Sequence, residues 1–124
     1  MEKQDILKAE VGIKESETLK SAAVQIKRVR VEDIGDKKNQ KVVYSVKHPE
    51  KQEEIDISSV KYERKGELIT SGLWVNLDED NKIRKGSALA QFLGFIGVKS
   101  PSLVVGLFAE TTHDDKGYLC FKAY

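Results

Sequence analysis

Ser87-Ala-Leu-Ala-Gln-Phe-Leu-Gly-Phe-Ile-Gly-Val98 is the one compact apolar run with helical spacing downstream of residue 20. Leu89, Phe92, Leu93 and Ile96 recur at i, i+3, i+4 and i+7, the stripe of a helix with one buried face. Ser87 is placed to cap its first turn, Gly97 to end it in a left-handed residue, and Pro101 to bar continuation. Strand-like segments precede this helix and two follow it. That order predicts a mainly β chain, a small Greek-key β-barrel of about five strands with one helix between the third and fourth.

Upstream of the helix, Thr70 to Leu77 reads as the best single strand, with Leu73, Val75 and Leu77 on one face and Trp74 and Asn76 on the other. Asp78-Glu-Asp-Asn81 is a polar turn, and Lys82-Ile-Arg-Lys-Gly86 leads into the helix. Ala23 to Ile34 reads as a strand with a defect. Val24 and Ile26 fall on one parity and Val29 and Val31 on the other, so a bulge near Lys27-Arg28 would bring all four to the core. Lys41 to Lys47 is the second strand, with Val42, Tyr44 and Val46 facing one way and Lys41, Val43, Ser45 and Lys47 the other. His48-Pro49 stops it, because proline lacks the ladder donor.

The 49–69 connection is long and has room for a short strand at Ile55 and Ile57, extended by Val60 and Tyr62. Downstream of the helix, Val104 to Thr112 and Gly117 to Tyr124 are the last two strands. Residues 1–20 carry Ile6, Leu7, Val11 and Ile13 among charges. Their composition does not choose between a frayed helix, a short added strand and an N-terminal arm, flexible or docked elsewhere. Residues 21–124 form the single folded domain.

The element order, the bulged first strand and the Lys82-Ile-Arg-Lys-Gly-Ser87 segment resemble the OB-fold nucleic-acid-binding proteins, over roughly residues 22–124. The resemblance implies an OB-like barrel plugged at one end by its helix. It also implies a binding face on the second and third strands.

Charged residues make up 33% of the chain, 21 basic against 20 acidic, with one Cys, one Met, one Trp and two His. That profile fits the ion-pair-rich composition of thermophilic proteins. A lone Cys120 makes no intramolecular disulfide. No apolar stretch approaches the roughly 20 residues of a membrane span. The expectation is a cytoplasmic protein without a membrane partner.

No nucleophile elbow, phosphate-binding Gly loop or His-Glu-x-x-His helix is present, so the chain is read as non-enzymatic and without cofactor. His48, His113, Asp114 and Asp115 lack the close spacing of a zinc site, and no metal is expected. Asp78 to Asn81 begins like a calcium loop, but Ile83 and Leu89 stand where the glycine and the bidentate Glu belong.

A net charge of only +1 conceals a basic segment. Residues 21–48 hold seven Lys or Arg against three acids. A single strand needs cations that follow phosphates and aromatic faces that stack on bases. Lys27, Arg28 and Arg30 on the first strand, Lys41 and Lys47 on the second, and Lys82, Arg84 and Lys85 before the helix are the candidate cations. Trp74, pointing outward, is the candidate stacking platform, with Tyr62 covering the same face. Packing of Trp74 beneath the 49–69 connection is the equally weighted alternative.

The expected partner is single-stranded DNA or RNA, bound with low sequence specificity. The alternative is a protein–protein interaction or assembly module using the same barrel, including a homodimer. The 1–20 segment and the Tyr118-Lys122-Tyr124 face favour that second reading.

Overall fold

Alternating apolar and charged residues from Val24 to Ile34 build the longest strand, β1, which returns through a short turn into β2 (Asn39–Lys47). The structure, a computed structural model, describes residues 19–36 and 39–124. The arm expected over residues 1–20 therefore lies outside the described residues except at its last two positions, as do Lys37 and Lys38. The β1–β2 register shifts between Ile26 and Arg28, the bulge expected from the sequence. Val24 and Ile26 are buried and Val29 packs at the rim of the core. Val31, expected in the core, is 54% exposed. Among the described residues β1 beyond the bulge pairs with β2 alone, and that ribbon runs past the interior.

After β2 come β3 (Ile55–Ile57), β4 (Ser59–Arg64) and β5 (Glu67–Gly72), then helix α1 (Ala88–Ile96) and a 3-10 turn at Pro101–Val104. β6 (Phe108–Ala109), β7 (Thr111–His113) and β8 (Leu119–Ala123) complete the chain. Two four-stranded sheets result, ordered β3-β2-β1-β6 and β5-β4-β8-β7. They form a curled, mainly antiparallel half-barrel in which β4 and β8 run parallel.

Four expectations are corrected by the strand pairing. Among the described residues there are eight strands rather than about five, and helix α1 lies between the fifth and sixth rather than the third and fourth. The 49–69 connection is the reason: it contributes β3, β4 and the start of β5, with a tight turn at Lys65-Gly66. The strand expected from Thr70 to Leu77 ends at Gly72, where the chain changes partners. Val42 N donates to Leu73 O (2.9 Å) and Val75 N to Gln40 O (2.9 Å), so residues 73–75 run beside β2. The strand expected over Val104 to Thr112 begins only at Phe108: Pro101, with its backbone angle fixed, opens a 3-10 turn that takes in Val104, and the rest is extended as β6 and β7.

α1 is capped as its sequence indicates. Ser87 Oγ accepts from Ala90 N (3.2 Å) and donates to Arg84 O (2.8 Å). Gly97, at φ 94°, ends the helix with its N–H on Leu93 O. The buried face of α1 delivers Leu89, Phe92 and Leu93 to the interior.

Phe92 stacks on Phe121 of β8, centroids 4.5 Å apart, and both rings meet Tyr44 of β2 at 5.7 and 5.8 Å. Tyr44 Oη donates to Pro101 O (2.8 Å), so the ring that fills the core also fastens the 3-10 turn. Burial pushes the Tyr44 phenol well above its ordinary range.

Phe92→Ala is expected to cost about 3–5 kcal/mol, through the cavity left between the sheets. Ser87→Ala should cost about 1 kcal/mol, through the lost cap. Urea unfolding midpoints measure both, and equal losses would contradict this account of the core.

Candidate functional site

The cations of β1 are largely spent on neighbouring acids. Arg28 Nη2 lies 3.1 Å from Glu54 Oε2. The Arg30 guanidinium makes two bonds to Asp56, at 3.2 and 2.7 Å, and another to Glu32 at 2.9 Å. Ser45 Oγ adds a bond to Asp56 Oδ1 (3.0 Å), which holds the carboxylate toward the arginine. The Arg30 hydrogen bond holds the Asp56 carboxyl below the usual carboxylate range, and Asp56 in turn drives the guanidinium further into its charged form. Lys27 is exposed beside the bulge. Lys47 turns back on its own loop, its Nζ donating to His48 O (2.8 Å) and to Lys51 O.

Tyr62, expected to cover the binding face, points the other way. It is 6% exposed and belongs to the core, because β4 pairs with β8 in the register that carries Val60 and Tyr62 inward. It offers no stacking surface.

Trp74 behaves differently. Leu73 is fully buried, so its neighbour turns to the opposite face of the chain beside β2. The half-buried indole lines an open cleft with Asn39, Gln40, Val75 and Asn76. Lys41, its bridge partner on β2, holds Nζ 5.1 Å from the ring centroid. The close approach at Gly72 is required here. A Cβ at that position would meet Lys41 Cε at 2.7 Å and Trp74 Nε1 at 2.8 Å.

Asn76 also lines a second cleft of about 470 Å3, together with Arg64, Asp78, Arg84, Lys85, Gly86 and Ser87. That volume falls in the usual range of ligand sites, about 300–1,000 Å3. Its Asp78 carboxylate is bound to its own turn, Oδ1 accepting from Asp80 N (2.8 Å) and Lys82 N (3.0 Å). The structure thus brings Arg84 and Lys85 together and joins them to the Trp74 cleft through Asn76. Lys82 sits apart, on a cleft with Asn81, Ile83, Lys99, Ser100 and Pro101.

Arg64, Asn39, Gln40 and Asn76 are not among the binding residues expected from the sequence. Arg64 ends a strand inside the long connection, and no local pattern ties it to residues twenty positions later. The available signal was Asn76, which shares the outward parity of Trp74.

The other reactive groups are committed to structure. Cys120 is fully buried, and burial pushes its thiol up to about 11, which suppresses the thiolate. His48, fully buried, accepts from Glu50 N at Nδ1 (3.0 Å), so its Nε2–H donates to Lys20 O (2.7 Å). His113 Nε2 meets Leu19 O at 2.6 Å, and Thr111 Oγ1 accepts from Ala22 N (2.9 Å) while donating to Ala22 O (2.6 Å). Both imidazoles thus fasten residues 19–22 to the half-barrel. No helix among the described residues is long and apolar enough to cross a membrane.

Since the Asp56 carboxyl is held low in the folded chain, its stabilising effect is present above its ordinary value of 3.8 and lost as pH falls through the folded value. Asp56→Asn should flatten the acid limb of the stability curve below pH 3.8, and thermal melts at pH 2–5 check it. An unchanged acid limb would remove Asp56 from that account. Comparison with known proteins supplies no family: no family model, no curated protein and no solved structure matches the chain.

Proposed function

We propose that this chain binds single-stranded DNA or RNA, with low sequence specificity, on the wall that joins the Trp74 cleft to the Arg64-Arg84-Lys85 cleft. The observation that carries the reading is this junction: an accessible indole and three cations share one surface through Asn76. An aromatic face accepts a base of any identity, and adjacent cations accept its phosphates. Asn39, Gln40 and Asn76 add amide groups that hydrogen-bond to base edges or sugar.

The strand pairings support an OB-like reading of the half-barrel. β1 pairs with β2 and β6, β2 with β3, β4 with β8, and β8 with β7. Only Ser58 separates β3 from β4, and only Glu110 separates β6 from β7. Taken as continuous strands, these form a circuit of five, with β5 added outside it. OB folds bind their ligands beside the second and third strands, and the Trp74 segment lies along β2.

A protein-interaction role is the second reading. The cleft formed by Phe95, Ile96, Leu107, Phe108 and Ala109 favours it, with Phe95 54% and Phe108 65% exposed.

Titration of the sole tryptophan with a short oligonucleotide tests the first reading. Fluorescence quenching should saturate and weaken as salt rises. Trp74→Ala should weaken binding roughly 5- to 150-fold, the value of about 1–3 kcal/mol per stacked base. Arg84→Ala with Lys85→Ala should reduce the salt slope by about 1.4, for two lost phosphate contacts. Wild-type affinity in both variants, with far-UV circular dichroism unchanged, would overturn the proposed site. Binding of a protein partner that is insensitive to salt, with no response to oligonucleotide, would select the second reading.

A further inference from the structure

β5 ends its sheet and pairs with β4 alone, which leaves one backbone edge open among the described residues. Leu73 N donates to Ser58 O (2.8 Å), so odd-numbered residues of this segment turn their backbone groups toward β4. The N–H and C=O groups of Leu68, Thr70, Gly72 and Trp74 therefore face away from it. Among the described residues no other backbone group bonds to them, and the one side-chain contact is Ser71 Oγ on Gly72 O (3.3 Å). The open edge ends where Asn76 O accepts from Arg84 N (2.9 Å).

Native sheets protect such edges with charges, prolines or bulges. Leu68-Ile-Thr-Ser-Gly-Leu-Trp74 contains none of these along about 20 Å of strand. We infer that this edge is the contact by which two copies of the chain pair, antiparallel, about a two-fold axis at Ser71.

The register follows from symmetry. A two-fold axis relating antiparallel strands stands normal to the sheet, so each residue meets one of its own parity. Centring on Ser71 sets Thr70 against Gly72 of the other copy and Leu68 against Trp74 of the other copy. All four outward-facing positions are then paired on both strands. None of the paired residues is charged, and the Lys41 cation that stands beside the seam in each copy is held over its own Trp74 ring.

Side-chain chemistry suits this register. Leu68 is 49% exposed on the solvent face of β5, while its neighbour Ile69 packs on the core. Pairing lays Leu68 of each copy beside the half-buried Trp74 of the other, an aliphatic–aromatic pair of the kind that stabilises adjacent strands. Gly72, whose side-chain space is filled by Lys41 and Trp74, then meets only the small Thr70. Both Trp74 rings lie on one solvent face of the joined sheet, so pairing does not depend on whether nucleic acid binds there.

Sedimentation equilibrium of the full chain tests the pairing. A mass twice 13.9 kDa is expected at micromolar concentration. Leu68→Lys places a charge on the seam. Thr70→Pro removes an outward donor without taking a bond from β4. Each should halve the mass with an unchanged circular dichroism spectrum.

Ser71→Cys is the positive control. Across the axis the two Cα atoms lie about 4.5 Å apart in this register, within disulfide reach. Mild oxidation should yield a covalent dimer, and buried Cys120 does not compete.

A monomer at all concentrations overturns the inference. So does a dimer that survives both edge variants and gives no Ser71→Cys cross-link, which would move the contact to another surface. A monomer whose Thr70 amide resists hydrogen exchange overturns it too, because a segment of the same chain then occupies the edge.

Discussion

The meeting of Tyr44, Phe92 and Phe121 is the constraint on which the rest depends. The three rings come from one strand of each sheet and from helix α1, and together they occupy the space where the sheets curl past each other. Without Phe92 the inward faces of β2 and β8 lack a lid. Without Tyr44 the Pro101–Val104 turn loses the hydroxyl that fastens it. Because α1 must arrive at this point, residues 73–87 must cross from the end of β5 to the open end of the half-barrel. That traverse carries Trp74, Asn76, Arg84 and Lys85, so the candidate binding wall is a consequence of how the core is closed.

Charge is distributed by the same logic. The basic count of residues 21–48 suggests a cationic strand, yet Arg28 and Arg30 face Glu54 and Asp56 on the β3 side of the sheet. The β2–β3 register, which sets Ser45 against Asp56, decides that neutralisation. Besides the exposed Lys27, cations available to an anion are found where the chain ends a strand or makes a turn: Arg64 at the end of β4, and Arg84 and Lys85 before the helix. A sum over a segment measures composition, whereas a field depends on which acids the fold places within a few ångströms.

The legible parts of this chain were those with local causes. Ser87 and Gly97 bracket a helix because a hydroxyl and a left-handed residue satisfy its ends wherever it occurs. The bulge at Ile26–Arg28 was written in a change of parity, and the turn at Asp78 in its acidic and amide side chains. Less legible were the strands within the 49–69 connection, since short segments with mixed polarity acquire strand geometry only through partners. Tyr62 illustrates the same limit: its place in the core depends on parallel pairing with a strand sixty residues away.

By itself, then, the sequence determined a mainly β chain, a capped helix at residues 88–96 with an apolar stripe to seal it, and a Trp74 on the opposite parity from Leu73. Each rests on periodicity or on backbone chemistry within a few residues. Tertiary structure decided the number of strands, the partner change at Gly72, the neutralisation of Arg28 and Arg30, and the union of Arg64 with Arg84 and Lys85. All of these are contacts between residues far apart in sequence, and only the closure of the sheets around the aromatic cluster brings them within reach.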